Sequence, residues 1–457
     1  MDQDRDASRT DAMDTARVTS PSSDESIARR DTLTDDRRLD GLQRAAFDYF
    51  VQATNPANGL VADTSRQDSP ASIAVAGFAL ASHPAAVERG WMTRTEAAAR
   101  SLALLHFFND SDQSGSAEAT GYRGFYYHFL DMRTGARVWR SELSTIDTAL
   151  LIAGALVASI YFDSDSPAEI ELRKLVDALY RRIDWRWAQG GAATIRQGWK
   201  PECGFLHYGW EGYSEAIVLY ALALGSPTHP PAGDSYHAWT ATYQWENLYG
   251  HDVLYAGPLF VHQFSQAWID LRGLRDRFMR EKRSDYFENS RHATYVQREY
   301  AQRNPLEFAG YGEDCWGFTA SDGPRDDELP AVSHEPRRRF GYTARGVPYG
   351  PDDGTLSCSG VLASLPFAPE IVLPAVRNMV ARYPEMLTSR RFASGFNPTL
   401  AGADSRAWVS RGHYGLDQGI VMLMIENFRT EMIWRLMRKC PFVTTGLRRA
   451  GFRGGWL

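Results

Sequence analysis

Two kinds of apolar pattern alternate along the chain. In the first, apolar residues recur at helical spacing on one side only: Leu42, Ala46, Tyr49 and Phe50 within Leu39–Val51, and Leu172, Leu175, Leu179 and Ile183 within Ala168–Trp187. Thr93–Phe108 is a third such segment. It opens on Thr93 with Glu96 three residues later, the spacing at which a hydroxyl and a carboxylate satisfy the first free amides of a helix. In the second kind nearly every position is apolar: Ser72–Ser82 (SIAVAGFALAS), Leu143–Ile160, Gly212–Leu224, Gly257–Trp268, Ser357–Pro366 and Gly415–Phe428. A helix apolar all round must be buried all round. Weaker helical patterns fall at Tyr236–Asn247, Asp285–Gln302 and Pro369–Tyr383, and patterns of period two are scarce.

Buried and amphipathic helices alternating in this way predict two concentric rings. The expected fold is all-α, an (α/α)6 barrel of about twelve helices running from residue 38 to Leu457. Residues 1–37 are polar and mixed in charge, and read as a disordered tail. Three long loops rich in Gly, Pro and aromatics interrupt the helices: Asn109–Arg140, Gln189–Trp210 and Glu307–Thr355. Loops of that length in a compact domain are usually functional.

Composition narrows the classes. A net charge of −6 gives no electrostatic case for nucleic acid or an anionic membrane as partner. No apolar run reaches the roughly 18 residues of a membrane span. No secretory signal precedes the domain, so the expected compartment is the cytoplasm, or the periplasm or exterior if the true start lies elsewhere. Cys203, Cys315, Cys358 and Cys440 lie far apart and outside any zinc-binding spacing. No metal and no organic cofactor is therefore expected.

Three of the all-apolar helices carry a lone acid in or near the first turn: Asp147, Glu215 and Asp417, with Glu142 just ahead of the first. A helix N-terminus stabilises an acid without any chemistry. Carboxylates among apolar residues are nonetheless costly unless paired or used. If the inner helices run parallel, these acids converge on one face. Opposed carboxylates there are the machinery of glycosidic cleavage, one donating a proton and the other activating water. Glu426, further along its helix, reads equally as a substrate contact or as a buried partner of an Arg such as Arg429.

At these residues the chain resembles the bacterial glucoamylase-like (glycoamylase) domain, and within it the β-1,2-glucanases of glycoside hydrolase family 144. The matching stretches run in order: FDYF and NPANGLVADTS (Phe47–Ser65), SIAVAGFAL, GFYYHFLDMRTG (Gly124–Gly135), ELSTIDTALL (Glu142–Leu151), WEGYSEAIVLYALALGSPTHP (Trp210–Pro230), CWGFTASDGP (Cys315–Pro324), SLPFAPE and GLDQGIVMLMIENFRTEMIW (Gly415–Trp434). One departure is Glu431, where the family commonly has a small residue. The resemblance implies an inverting hydrolase in an (α/α)6 barrel, with Glu215 as general acid. It implies Glu142 and Asp147 as pocket carboxylates and Asp417 as the candidate on the base side. It also implies His128, Trp210, Tyr213, Trp316 and Arg429 as pocket-lining, substrate-binding positions, with Glu426 kept beside them as a substrate-binding candidate. The expected partner is a glucan or its oligosaccharides, with an α-glucan as the alternative substrate. The alternative from another class is a non-catalytic glucan-binding or cyclic-glucan-synthase-associated module.

Overall fold

The computed structural model describes residues 23–325, 339–401 and 407–457. It is mostly helical. In chain order the helices are α1 (Ser23–Gln52), α2 (Ile73–Glu88), α3 (Arg94–Asp110), α4 (Thr145–Tyr161), α5 (Pro167–Arg182), α6 (Ile217–Gly225), α7 (Ser235–Thr240), α8 (Leu259–Trp268), α9 (Arg277–Lys282), α10 (Tyr286–Arg303), α11 (Cys358–Leu362), α12 (Pro369–Arg382), α13 (Gly415–Thr430), α14 (Met432–Arg438) and α15 (Pro441–Arg449). The chain divides into two compact units, Met1–Asp40 and Gly41–Leu457. Within the first, residues 23–40 are the N-terminal part of α1, with Arg38 and Asp35 paired one turn apart at 3.1 Å. The expected tail therefore contains helix from Ser23 onward. Its first 22 residues lie outside the described residues.

The six all-apolar runs became α2, α4, α6, α8, α11 and α13. Each packs on the next in that order, and α13 packs back on α2. Close backbone contact holds the α2–α4 pair together. A Cβ on Gly154 would sit 1.9 Å from the Gly77 carbonyl oxygen, and one on Gly77 would sit 2.3 Å from that of Leu150. No larger residue fits either place. Amphipathic helices cover the outside: α3 and α5 lie on α2 and α4, α10 on α8, and α12 on α11. Thr93 caps α3 as its spacing predicted, accepting from the Glu96 amide at 3.2 Å.

The outer layer departs from expectation in two places. The segment Tyr236–Asn247 is only briefly helical, as α7. It then enters a hairpin pairing Trp245–Leu248 with His251–Leu254, because Tyr249 and Gly250, both at positive φ (54° and 87°), make a tight turn. The helix that covers α6 is instead α15, near the C-terminus, where Gly446 comes against the Ala221 carbonyl.

The long loops also fold. Gly121–Tyr122, Phe125–Tyr127, Leu143–Ser144, Gly198–Lys200 and Gly204–Phe205 form a small five-stranded antiparallel sheet over the start of α4. Period-two patterning cannot announce strands of two or three residues. All four cysteines are unpaired, three of them buried. Among the described residues no helix is long and apolar enough to cross a membrane, and no three His, Cys, Asp or Glu side chains group as a metal site.

Candidate active site

The sheet register makes the first part of the site. Tyr127 pairs with Leu143, so His128 and Glu142 stand opposite one another, joined through the His128 amide and the Glu142 carbonyl at 2.9 Å. Their side chains meet as well, His128 Nδ1 lying 3.1 Å from Glu142 Oε1. At the end of its strand, Ser144 caps α4. Its Oγ accepts from the Asp147 amide at 3.1 Å and donates to Asp147 Oδ2 at 2.5 Å. This turns the Asp147 carboxylate toward His128, whose Nε2 is 3.5 Å away. Burial disfavours charge on His128, but Asp147 and Glu142 outweigh it and push its pKa up to about 9. The hydrogen bond from His128 in turn holds Glu142 down at about 2. His128 is therefore an imidazolium bridging two carboxylates, its ring stacked on Phe129 at 4.0 Å.

Glu215 lies two residues before α6. Ser265 of α8 fixes this turn by donating to the Glu215 carbonyl at 2.5 Å and accepting from the Val218 amide at 3.0 Å. Desolvation raises the Glu215 carboxyl to about 7; its own backbone amide opposes the shift and Asp147 adds to it. Asp417 occupies the first turn of α13. Gly415, which opens that helix, packs where a Cβ would come 2.5 Å from Val75, and its amide donates to the Asp63 carbonyl at 2.7 Å. Burial raises the Asp417 carboxyl to about 8, against a hydrogen bond from Ser394 and with the help of Asp63 and Asp322. Its Oδ2 is buried without a hydrogen-bond partner among the described residues.

These groups share one cavity of about 610 Å³, lined among others by Asp63, His128, Asp147, Glu215 and Asp417. Aromatic rings stand along it. Trp139 is 70% exposed and packs on Phe129 at 5.0 Å. Tyr342, 48% exposed, stacks on Tyr414 at 5.5 Å. A cleft with apolar rings on its walls and carboxyls at its floor can hold a sugar ring by its apolar face and exchange protons with its glycosidic oxygen.

The structure brings His128, Asp147, Glu215 and Asp417 onto this cavity and puts Glu142 behind His128. It places five other expected substrate contacts elsewhere. Trp210 is buried and donates from Nε1 to Thr145 Oγ1 at 3.1 Å, bracing the start of α4. Tyr213 packs among Tyr243, His262 and Tyr286. Trp316 is completely buried. Glu426 accepts from Arg89 Nε at 2.9 Å, Gln43 at 2.7 Å and Thr430 at 2.6 Å. It is a buried ion-pair partner, though of Arg89 rather than Arg429. Arg429 lies beyond it at the last turn of α13 and reaches Gln43. The aromatic and acidic letters of a motif do not report which way a side chain points, so wall, floor and support read alike in sequence.

The acids on the cavity missed by sequence reasoning are Asp63 and the solvent-exposed Asp68, of which Asp63 is the part-buried one. It sits in the loop between α1 and α2 rather than at a helix start, and so escaped the pattern that singled out the others. The available signal was an acid directly after the apolar run Leu60-Val61-Ala62.

Comparison with known proteins agrees with this architecture. A family model, Glycoamylase, described as "Putative glucoamylase", matches residues 207–441. The chain is 27% identical over 453 residues to an exo β-1,2-glucooligosaccharide sophorohydrolase (non-reducing end) from Parabacteroides distasonis. That match covers 91% of this chain, which spans only 58% of the relative's length. Among solved structures, a protein from Bacteroides uniformis, also described as a "putative glucoamylase", superposes with a TM-score of 0.81 at 30% identity, covering 93% of this chain and 98% of the other. An endo-β-1,2-glucanase from Chitinophaga pinensis, in complex with sophorotriose and glucose, superposes with a TM-score of 0.78 at 25% identity, covering 92% and 99%. A match over half the chain to the family model, together with a 30%-identical relative aligned along nearly its whole length, makes this chain a member of the glycoamylase family.

Proposed function

We propose that the protein hydrolyses β-1,2-glucan or its oligosaccharides with inversion, in the central cavity of an (α/α)6 barrel. The ring of contacts from α2 through α4, α6, α8, α11 and α13 back to α2 supports the barrel. The names of the Parabacteroides and Chitinophaga relatives support the substrate. The observation that carries the chemistry is Glu215, a carboxyl raised to about 7 by burial on a cavity that it shares with Asp63, Asp147 and Asp417. At neutral pH it retains much of its proton and can give it to the departing glycosidic oxygen.

On the opposite side a carboxylate must take a proton from attacking water. Asp417 is the candidate there, and its unpartnered Oδ2 is an acceptor waiting for a water or a sugar hydroxyl. The imidazolium of His128 balances Glu142 and Asp147 and keeps their negative charge next to the acid without a second free proton. Trp139 and the Tyr342–Tyr414 pair supply stacking surfaces for glucosyl rings. Incubation with linear β-1,2-glucan, cyclic β-1,2-glucan, sophorose oligomers and starch, read by product chromatography, tests the reading. Release of β-1,2-linked products with inverted anomeric configuration is the expected result. Activity on starch alone would replace it with the α-glucan alternative, and binding of any of these without turnover would replace it with the non-catalytic one.

A further inference from the structure

Leaving aside the solvent-exposed Asp68, Asp63 has the least to do inside the protein of the aspartates on or near the cavity. Asp147 is held by Ser144 and stands beside His128, Asp322 by Arg66 and Ser410, and Asp417 by Ser394 on one side. Glu142, behind the wall, is engaged by His128. Among the described residues no donor reaches the Asp63 carboxylate, although it is part-buried and faces the cavity. Its backbone is firmly placed. Its amide donates to the Pro70 carbonyl at 2.7 Å and its carbonyl accepts from Gly415, two residues before Asp417. The next residue, Thr64, bridges to Tyr414. The segment that carries Asp63 is thus tied to the first turn of α13, and the two acids lie under the same pair of rings, Tyr342 and Tyr414.

We propose that Asp63 is a further catalytic residue: with Asp417 it forms a carboxyl pair that shares one proton at rest and takes up the proton of the attacking water. This rests on the hydrolytic reading above. In the step, the water oxygen forms the new bond to the anomeric carbon and its proton passes to the pair. The bond from that carbon to the glycosidic oxygen breaks, its electrons remain on the oxygen, and Glu215 supplies the proton there. Glu215 ends ionised and the pair ends with two protons. One proton lost to solvent from the pair and one regained by Glu215 restore the enzyme, with one water consumed.

Asp63 is one of the charges that raise Asp417, and like charges that feel one another cannot both ionise freely, so one shared proton is the expected state of such a pair. The groups around it agree. Asp63 is raised to about 6 by burial and by Asp147, opposed by His128 and Arg66, while Asp417 stands at about 8. Asp322 adds negative charge near Asp417, and Tyr49, Tyr342 and Tyr414 remain neutral phenols near both acids. The pair therefore holds its first proton down to about pH 6 with one carboxylate still open. Asp417 alone, protonated at pH 7 and paired with an acid at about 7, would leave only a minor fraction of the enzyme correctly protonated.

The test is Asp63→Asn, Asp417→Asn and the double variant on linear β-1,2-glucan, with Asp63→Glu as the conservative control. The expected result is a fall in kcat of about a hundredfold or more for Asp63→Asn. KM and Tm should stay near wild type, the acidic limb of the pH profile near 6 should vanish, and Asp63→Glu should recover part of the loss. Because the two acids act as a unit, the double variant should lose no more than about threefold beyond the worse single. If Asp63→Asn keeps kcat and its acidic limb and raises KM alone, Asp63 merely binds sugar hydroxyls and the proposal fails. Additive losses would equally refute the pair. A wild-type enzyme inactive on β-1,2-glucan would instead overturn the functional reading itself, and this assignment with it.

Discussion

Helix α13 carries two acids, and they live in opposite circumstances. Glu426 is 1% exposed and fully answered, with a guanidinium, a carboxamide and a hydroxyl on its two oxygens. Asp417, two and a half turns earlier on the same helix, has a serine on one side and nothing on the other. Asp417 is driven up to about 8 chiefly by desolvation. The protein has spent cations on the first and withheld them from the second. A buried carboxylate with its partners built in is part of the scaffold; one left with an open oxygen on a cavity is kept for a visitor. The same contrast separates Glu169, bound bidentately by Arg94 at 2.8 Å, from Glu215.

The sharpest way to break this contrast is Glu215→Gln, which keeps the shape and removes the proton. If Glu215 is the acid, kcat should fall by about two to four orders of magnitude with folding nearly intact. If it only caps a helix start, stability should fall by about 1 kcal/mol and turnover should survive. Melting temperature, glucan binding and turnover measured on one preparation separate the two. The converse experiment is Glu426→Ala, which should cost about 3–5 kcal/mol of stability by leaving Arg89 without its partner. The fraction that remains folded should keep the wild-type kcat. A Glu426 variant that folds normally but turns over slowly would erase the distinction drawn on α13.

The inner helices were legible in the sequence because burial on all sides leaves no choice of residue type: all six apolar runs are helices, and three acids at or near their starts face one cavity. The outer layer was less so. Amphipathic segments tolerate many substitutions, and α15, with its polar stretch and Pro441 at the start, had to be seen packed on α6 to be recognised as cover. The small sheet was invisible because its strands are two or three residues long, yet it is what sets His128 against Glu142. The support residues Trp210 and Trp316 looked like wall residues for want of direction, and Asp63 was hidden because a short apolar run before a loop acid is a weak sign that it faces inward.

A smaller effect should come from His128, which makes Glu142 an intermediate case, partnered by a cation that can itself titrate. The folded pKa of His128, about 9, lies above its ordinary 6.5, so its contribution to stability is fully present below pH 6.5 and is lost as pH rises through 9. Glu142, held at about 2, contributes above its ordinary 4.5 and loses that contribution as pH falls through 2. The stability gap between wild type and His128→Gln, from denaturant titrations, should therefore be widest between pH 4.5 and 6.5 and shrink by pH 9. A gap independent of pH would mean that His128 packs on Phe129 as a neutral ring and does not hold the carboxylates.

The smallest effect is expected at Trp139, the exposed counterpart of the buried tryptophans. It adopts φ 56°, and Arg140 after it φ 50°, a left-handed pair of bulky residues in a loop. Such a conformation costs about 1–3 kcal/mol per residue and persists where something else requires it. Here the side chain gains little burial in return, being 70% exposed with the ring of Phe129 tilted against it. On the proposed function, the strained conformation presents the ring as a stacking surface for a glucosyl unit. Trp139→Gly removes the ring and relieves the strain at once, so Tm should hold or rise slightly, whereas replacing a packed core tryptophan costs about 3–5 kcal/mol. Loss of one stacking surface worth about 1 kcal/mol should raise KM roughly fivefold and leave kcat unchanged. If Trp139→Gly melts well below wild type with KM intact, Trp139 belongs to the scaffold, and the stacking surface of the cleft reduces to Tyr342 and Tyr414.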